Sequence, residues 1–157
     1  MSERSHSLIR TRLMAGEDLD RVLAIAAALP TAPHWDRPVY GAAISESARR
    51  LALVAEKAGA ISGFAIVGIV APEAELESIA VAPEAQRSGI GVALVAELVL
   101  ELRHRGVATL DLEVRESNQA AAAFYQCTGF REIGRRRGYF SNPVEDALLL
   151  RLELDDR

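Results

Sequence analysis

The chain has a single cysteine, Cys127, in 157 residues, so it forms no internal disulfide and no cysteine-based metal cluster. Its histidines, His6, His34 and His104, are scattered rather than set at ligand spacing, and no metal is expected. A basic excess is also missing: the formal net charge is −4, which argues against a general nucleic-acid binder. No apolar run approaches membrane-span length, and the opening "MSERSHSLIRTRL" carries no apolar signal core. These absences lead to the expectation of a soluble, cytoplasmic protein without a nucleic-acid or membrane partner. There is no internal repeat, low-complexity tract or interdomain linker either. One domain over residues 1–157 is therefore expected, long enough to bury one sizeable core. Oligomeric state is not readable from the sequence.

What is present reads as alternating strands and helices. "SLIRTRL", Ser7 to Leu13, suits a first strand. Leu19, Val22, Leu23, Ile25 and Ala26 then fall at helical spacing, and Pro30 ends that segment. A proline-punctuated loop with the only tryptophan, Trp35, leads to a short helix around Tyr40–Arg49. Three strand-like runs follow, "RLALVAEKA", "AISGFAIVGIVA" and "AELESIAVA", with connections short enough for antiparallel hairpins. The pattern then changes to a glycine turn, a helix over Ile90–Arg105 and the strand "ATLDLEVR". Strand, turn, helix and strand in that order favour a parallel crossover. A helix in "SNQAAAAFYQCTG" and the strands "FREIGRR" and "EDALLLRLEL" complete a mixed α/β (α+β) sheet, antiparallel first and crossing over later.

Gly89 and Gly91 stand directly ahead of the strongest helix, whose apolar stripe is Leu94, Val95, Leu98, Val99 and Leu102. They suit a plain tight turn, and they also suit an anion held at a helix start. A nucleoside-triphosphate loop needs Gly-Lys-Ser/Thr, but Val92 and Ala93 follow Gly91. A dinucleotide fingerprint needs a third glycine where Leu94 stands, although Asp111 lies near the spacing of a ribose-binding acid. A third reading, beside the plain turn and the weakly matched dinucleotide one, is a turn whose backbone N–H groups hold a pyrophosphate with neither lysine nor metal.

Downstream, Leu110, Leu112 and Val114 alternate with Asp111, Glu113 and Arg115, so one strand face carries a carboxylate pair. That is either a solvated face or, beside a cofactor, a general base. Asn118 suits a helix cap, and Tyr125, seven residues on, shares its face with Ala121 and Ala122 between them. Phe124 and Cys127 are expected on the face that packs on the sheet, with Cys127 a small core residue rather than a nucleophile. Arg135–Arg137 reads as a solvated tip or a carboxylate partner.

Gln86–Arg87–Ser88–Gly89–Ile90–Gly91 resembles the Gln/Arg-x-x-Gly-x-Gly/Ala signature of the GNAT family of N-acetyltransferases. "LDLEVRESNQAAAAFYQCTGFREIGRRRGYF" followed by "EDALLLRLEL" is similar to the RimI-type branch, which acetylates the N-terminal alanine of small-subunit ribosomal protein 18. With "ELESIAVAPEAQRSGIG", the likeness covers roughly the last half of the chain. The resemblance implies a GNAT-like, mostly antiparallel sheet with a parallel βαβ crossover, helices on both faces, and acetyl-CoA as acetyl donor without a metal. It further implies that Ile79, Ala80 and Val81 pair with the pantetheine arm and that Arg87, Ser88, Gly89, Ile90, Gly91 and Val92 hold the diphosphate. Asn118 would contact the cofactor, Glu113 would accept the proton, and Tyr125 would donate one to departing CoA. Glu75 and Glu77 are rival bases on the preceding strand. Trp35 and Tyr139 are the implied acceptor contacts. "APHWDRPVY" departs from the family's Phe-Pro-Trp run, and Phe140 replaces the second residue of a Tyr-Tyr pair. The implied partner is a peptide or protein N-terminus, a ribosomal protein among them. A small amine or an internal lysine as acceptor, and a non-catalytic acyl-CoA-binding module, stay open beside it.

Overall fold

Local pattern becomes element order in the computed structural model, which describes residues 8–154. The chain runs β1 (Ile9–Leu13), α1 (Leu19–Ala27), α2 (Arg37–Ser45), β2 (Arg50–Lys57), β3 (Ala60–Val70) and β4 (Glu73–Val81). It continues through α3 (Ile90–His104), β5 (Thr109–Arg115), α4 (Gln119–Cys127), β6 (Arg131–Phe140) and β7 (Glu145–Glu153). His6 and Ser7 lie outside the described residues.

The seven strands form one sheet in the order β1-β2-β3-β4-β5-β7-β6. Neighbours β1–β2, β2–β3, β5–β7 and β6–β7 are antiparallel. β4 and β5 are parallel, with Glu73–Glu75 in register with Thr109–Asp111, so α3 is the crossover helix the pattern called for. Two elements moved, α2 at both ends, since it stops at Ser45 rather than Arg49, and β6. α2 starts at Arg37, ahead of the expected Tyr40, because Pro38 sits in its first turn, where a missing N–H costs nothing. β6 runs on to Phe140, because register shifts after Glu132 and Arg136 absorb what would otherwise have ended it.

The chain packs as two compact units, each with its own interior. The first comprises the described residues up to Gly68 together with Glu77–Leu100. Its core gathers Val22 and Ile25 of α1, Tyr40 of α2, Val54 of β2, Phe64 and Ile66 of β3 and Ala80 of β4. Tyr40 meets Phe64 edge-on at 5.8 Å and carries Trp35 tilted against it at 5.3 Å. Gly63 is what lets α3 dock: a Cβ there would lie 2.7 Å from Ile90 Cγ2 and 2.8 Å from the Ala80 carbonyl. Asp18, buried at the entrance to α1, accepts two bonds from Arg12 at 2.8 and 2.9 Å and one from Ala15 N at 2.7 Å. That bonding holds its carboxyl below the usual range.

The second unit comprises Ile69–Leu76 and the described residues from Glu101 on. Leu110, Leu112 and Val114 of β5 and Leu150 of β7 are buried, as the alternation requires. Phe130, just before β6, packs at 5.4 Å against Tyr125 of α4.

Candidate active site

In the first unit the site begins where β4 runs out. A 3-10 turn over Pro83–Ala85 leads to Arg87 and Gly89, both with left-handed backbone, φ +64° and +91°. Left-handed residues in a tight turn make the backbone concavities that hold anions. Gly89 O accepts the first helical bond from Ala93 N at 3.0 Å, so Gly89 flanks α3 and the N–H groups of Ile90, Gly91 and Val92 have no intrahelical acceptor. No acidic residue occupies that first turn, so the positive end of the helix is left uncompensated. Gln86 Nε2 donates to Val81 O at 3.2 Å and the Ser88 hydroxyl donates to Ala85 O, which pins the turn from within. Outside it, Glu84 pairs with Arg21 of α1 at 2.8 Å.

Side chains in this segment divide by face. Ile90 and Ala80 are core residues, so each offers only its backbone. Ile79 and Val81 are half-buried on the opposite face of β4, the face of Glu77. Glu77 lies over Gly68, where a Cβ would come within 2.8 Å of its Oε2. Arg50 Nη1 approaches its buried Oε1 at 3.3 Å, an ion-pair contact without hydrogen-bond geometry. Trp35, expected near the acceptor, is half-buried in this unit against Tyr40.

In the second unit the charged residues of β5's outer face, Asp111, Glu113 and Arg115, are each matched. Asp111 accepts from Nε and Nη2 of Arg151, at 2.8 and 2.9 Å. Arg115 meets Glu145 at 3.1 Å and lies over the Phe140 ring at 4.5 Å. Glu113 Oε2 is 3.2 Å from Arg136 Nε, with 18% of its side chain exposed. Tyr139 of β6, half-exposed, keeps its proton to higher pH than an ordinary phenol because its hydroxyl pairs with Glu113. Arg136 also stands 5.4 Å from the Tyr139 ring. Two arginines of the run are carboxylate partners: Arg135 pairs with Glu116 at 2.8 Å, and Arg136 pairs with Glu113.

α4 is capped by Asn118, whose Oδ1 accepts from Ala121 N at 3.2 Å. Tyr125 is buried between Phe124 at 5.3 Å and Phe130 at 5.4 Å, and that burial pushes its pKa up to about 12. One expectation is corrected here. Cys127 is exposed, and Tyr125 rather than Cys127 takes the packed position. Ala121 and Ala122 are the reason: small side chains on the Asn118–Tyr125 face let that face approach, and Cys127, two residues on from Tyr125, then points away.

The Acetyltransferase (GNAT) family model matches residues 19–130. The chain belongs to the GNAT acetyltransferase family. Among curated proteins, this acetyltransferase is 42% identical over 122 residues to the [ribosomal protein bS18]-alanine N-acetyltransferase of Escherichia coli K12, covering 76% of this chain and 81% of that one. It is 33% identical over 141 residues to the enzyme of the same name from Haemophilus ducreyi, covering 88% and 95%. Among solved structures, the ribosomal-protein-S18-alanine N-acetyltransferase of Escherichia coli superposes with a TM-score of 0.81 at 36% identity, covering 96% of each chain.

In this acetyltransferase the sequence-derived site residues fall into two sets. Ile79, Ala80, Val81 and Arg87 to Val92 belong to one unit; Glu113, Asn118, Tyr125 and Tyr139 belong to the other. Arg136 was legible only as one of three arginines, since nothing local says which of them turns toward Glu113. Among the described residues, no group of three or more His, Cys, Asp or Glu is placed to hold a metal ion. No described helix is long and apolar enough to cross a membrane.

Proposed function

We propose that the protein transfers the acetyl group of acetyl-CoA to the α-amino group of a protein N-terminus, with the N-terminal alanine of ribosomal protein bS18 as target, in the cytoplasm. The observation that carries this reading is the 42% identity with the Escherichia coli enzyme over most of both chains. The turn fits the donor: free N–H groups at the start of α3, no carboxylate in its first turn and an exposed Arg87 suit a diphosphate.

Acetyl-CoA supplies an activated thioester carbonyl, and the residues of the chain do the rest. Backbone N–H groups from Arg87 to Val92 hold the diphosphate, the Ile79–Val81 backbone pairs with the pantetheine arm, and Asn118 contacts the cofactor. Glu113 takes the proton of the attacking amine, directly or through one water, as the C–N bond forms. An α-amino group has a reference pKa near 7.7–8.0, so an N-terminal acceptor needs less help than a lysine at about 10.4. Glu75 and Glu77 are the rival bases, ranked below Glu113 because the RimI-like motif around "LDLEVRESN" includes Glu113.

Tyr125 hydrogen-bonds the sulfur as the C–S bond breaks. With its pKa near 12, it stays protonated through the neutral range. Complete transfer to a thiolate with a reference pKa of about 8.5 would be uphill by about 5 kcal/mol, so Tyr125 stabilises the leaving thiolate mainly as a donor. The thiolate then takes its proton from solvent. Trp35 and Tyr139 contact the acceptor.

A thiol-release assay tests the reading, with acetyl-CoA and three acceptors: a peptide beginning Ala-Arg, a blocked peptide with an internal lysine, and a polyamine. Rapid release with the first alone is the expected result. Release confined to either of the others overturns the acceptor assignment, and binding of acetyl-CoA without transfer to any acceptor overturns the enzyme.

A further inference from the structure

The surroundings of Glu113 single out one residue. β7 places Leu149 opposite it on the ladder, and β6 places Gly134 beyond Leu149, so neither strand brings charge at that level. On its own strand, Asp111 is held by Arg151 and Arg115 by Glu145. From β4, Glu75 adds negative charge that is felt at Tyr139. The groups in contact with Glu113 are Arg136, at 3.2 Å, and Tyr139.

Regular pleating would not put those two on one side. Residues three apart on a strand point to opposite faces. Here the ladder shifts register between Arg136 and Phe140, and Gly138 takes φ +61°, with its N–H donating to Asp146 Oδ1 at 2.9 Å. The bulge re-aims Tyr139 to the Arg136 side, and their 5.4 Å cation–π contact is the result. Bulges that re-aim side chains recur beside active sites.

We propose that Arg136 is a positioning residue for acetyl transfer: its guanidinium, beside the bulge that brings Tyr139 to the same side, holds the Glu113 carboxylate aimed to take the acceptor's proton. The inference rests on Glu113 being that acceptor. A general base must lie within hydrogen-bond reach of the proton it takes, so a group that fixes its carboxylate also fixes its aim. Arg136 engages Oε2 through Nε. Its side chain is 58% exposed, so its contribution to folding is small and its loss is read in catalysis.

The test is steady-state kinetics of R136Q, R136K and R136A, with E113Q alongside, using the Ala-Arg peptide as acceptor. R136Q is expected to lose about tenfold in kcat with the KM for acetyl-CoA unchanged, while R136K stays within about threefold of the parent. Millimolar guanidinium ion is expected to restore rate to R136A, a rescue that a merely structural arginine would not show. Parental kcat in R136Q, a lysine that rescues nothing, or R136A unresponsive to guanidinium would each overturn the proposal. If E113Q itself turns over like the parent, the proton-acceptor reading has failed and takes this inference with it. If E113Q is slow and R136Q is not, only the role of Arg136 is lost.

Discussion

The turn before α3 and the outer face of β5 are built from opposite materials. The turn works through main chain: Arg87 and Gly89 in left-handed conformation, an open helix start, and side chains mostly exposed or buried in the core. The β5 face works through charged side chains, Asp111, Glu113 and Arg115, each matched to a partner reached across the ladder from β6 or β7. A backbone site tolerates changes of side chain and fails when its dihedrals are disturbed. A side-chain site keeps its backbone under substitution and fails when one charge is removed. The division suits the two tasks proposed for them, since a diphosphate needs many weak donors and a proton needs one group with the right affinity.

The contrast can be broken most forcefully at Glu113. E113Q is expected to lower kcat by about 10²–10⁴-fold in the thiol-release assay while the KM for acetyl-CoA stays put. A rise in that KM instead would show that the β5 face also binds the donor. Gly89→Ala attacks the other side: at φ +91° a Cβ is strained by about 1–2 kcal/mol, which predicts roughly tenfold weaker acetyl-CoA binding by calorimetry. The acceptor KM should not move.

Arg87→Ala keeps the left-handed backbone and removes only the guanidinium. A loss of about threefold in acetyl-CoA affinity is expected, in line with an exposed charge. A larger loss would make the turn a side-chain site after all. The pH profile sharpens the comparison further. Because burial raises the Tyr125 pKa to about 12, its protonated form persists to higher pH than a free tyrosine's. Rate should therefore climb as the acceptor amine loses its proton near pH 8 and hold to about pH 10, without the basic limb of an ordinary phenol. Smallest of all, Cys127→Ser should leave kcat, both KM values and the melting temperature as they were, since the thiol is exposed and outside both sites.

Much of this was readable before any coordinates. β5 and α3 fall within a residue or two of their expected limits, because each rests on a strong local period. The glycine turn was legible for the same reason, since left-handed backbone is written locally as glycine. Arg87 shows where that reading stops: it takes φ +64° with a side chain that gives no hint of it. The inward face of α4 was harder. Asn118, Ala121, Ala122 and Tyr125 were grouped correctly, but the packing side was assigned to Phe124 and Cys127, because hydrophobic type was weighed above the room that two alanines leave. β6 was cut short because a bulge looks, residue by residue, like the end of a strand.

The amino-acid sequence by itself determined the order of elements, the crossover, the glycine turn before α3 and the presence of a carboxylate on β5, all properties of neighbours within a few positions. Which carboxylate is answered by which arginine was decided only in three dimensions. Asp111 meets Arg151, Arg115 meets Glu145 and Glu113 meets Arg136, pairings set by ladder register and by one bulge. A slip of one residue in either ladder would turn every one of those side chains to the other face, and only the packed sheet forbids it.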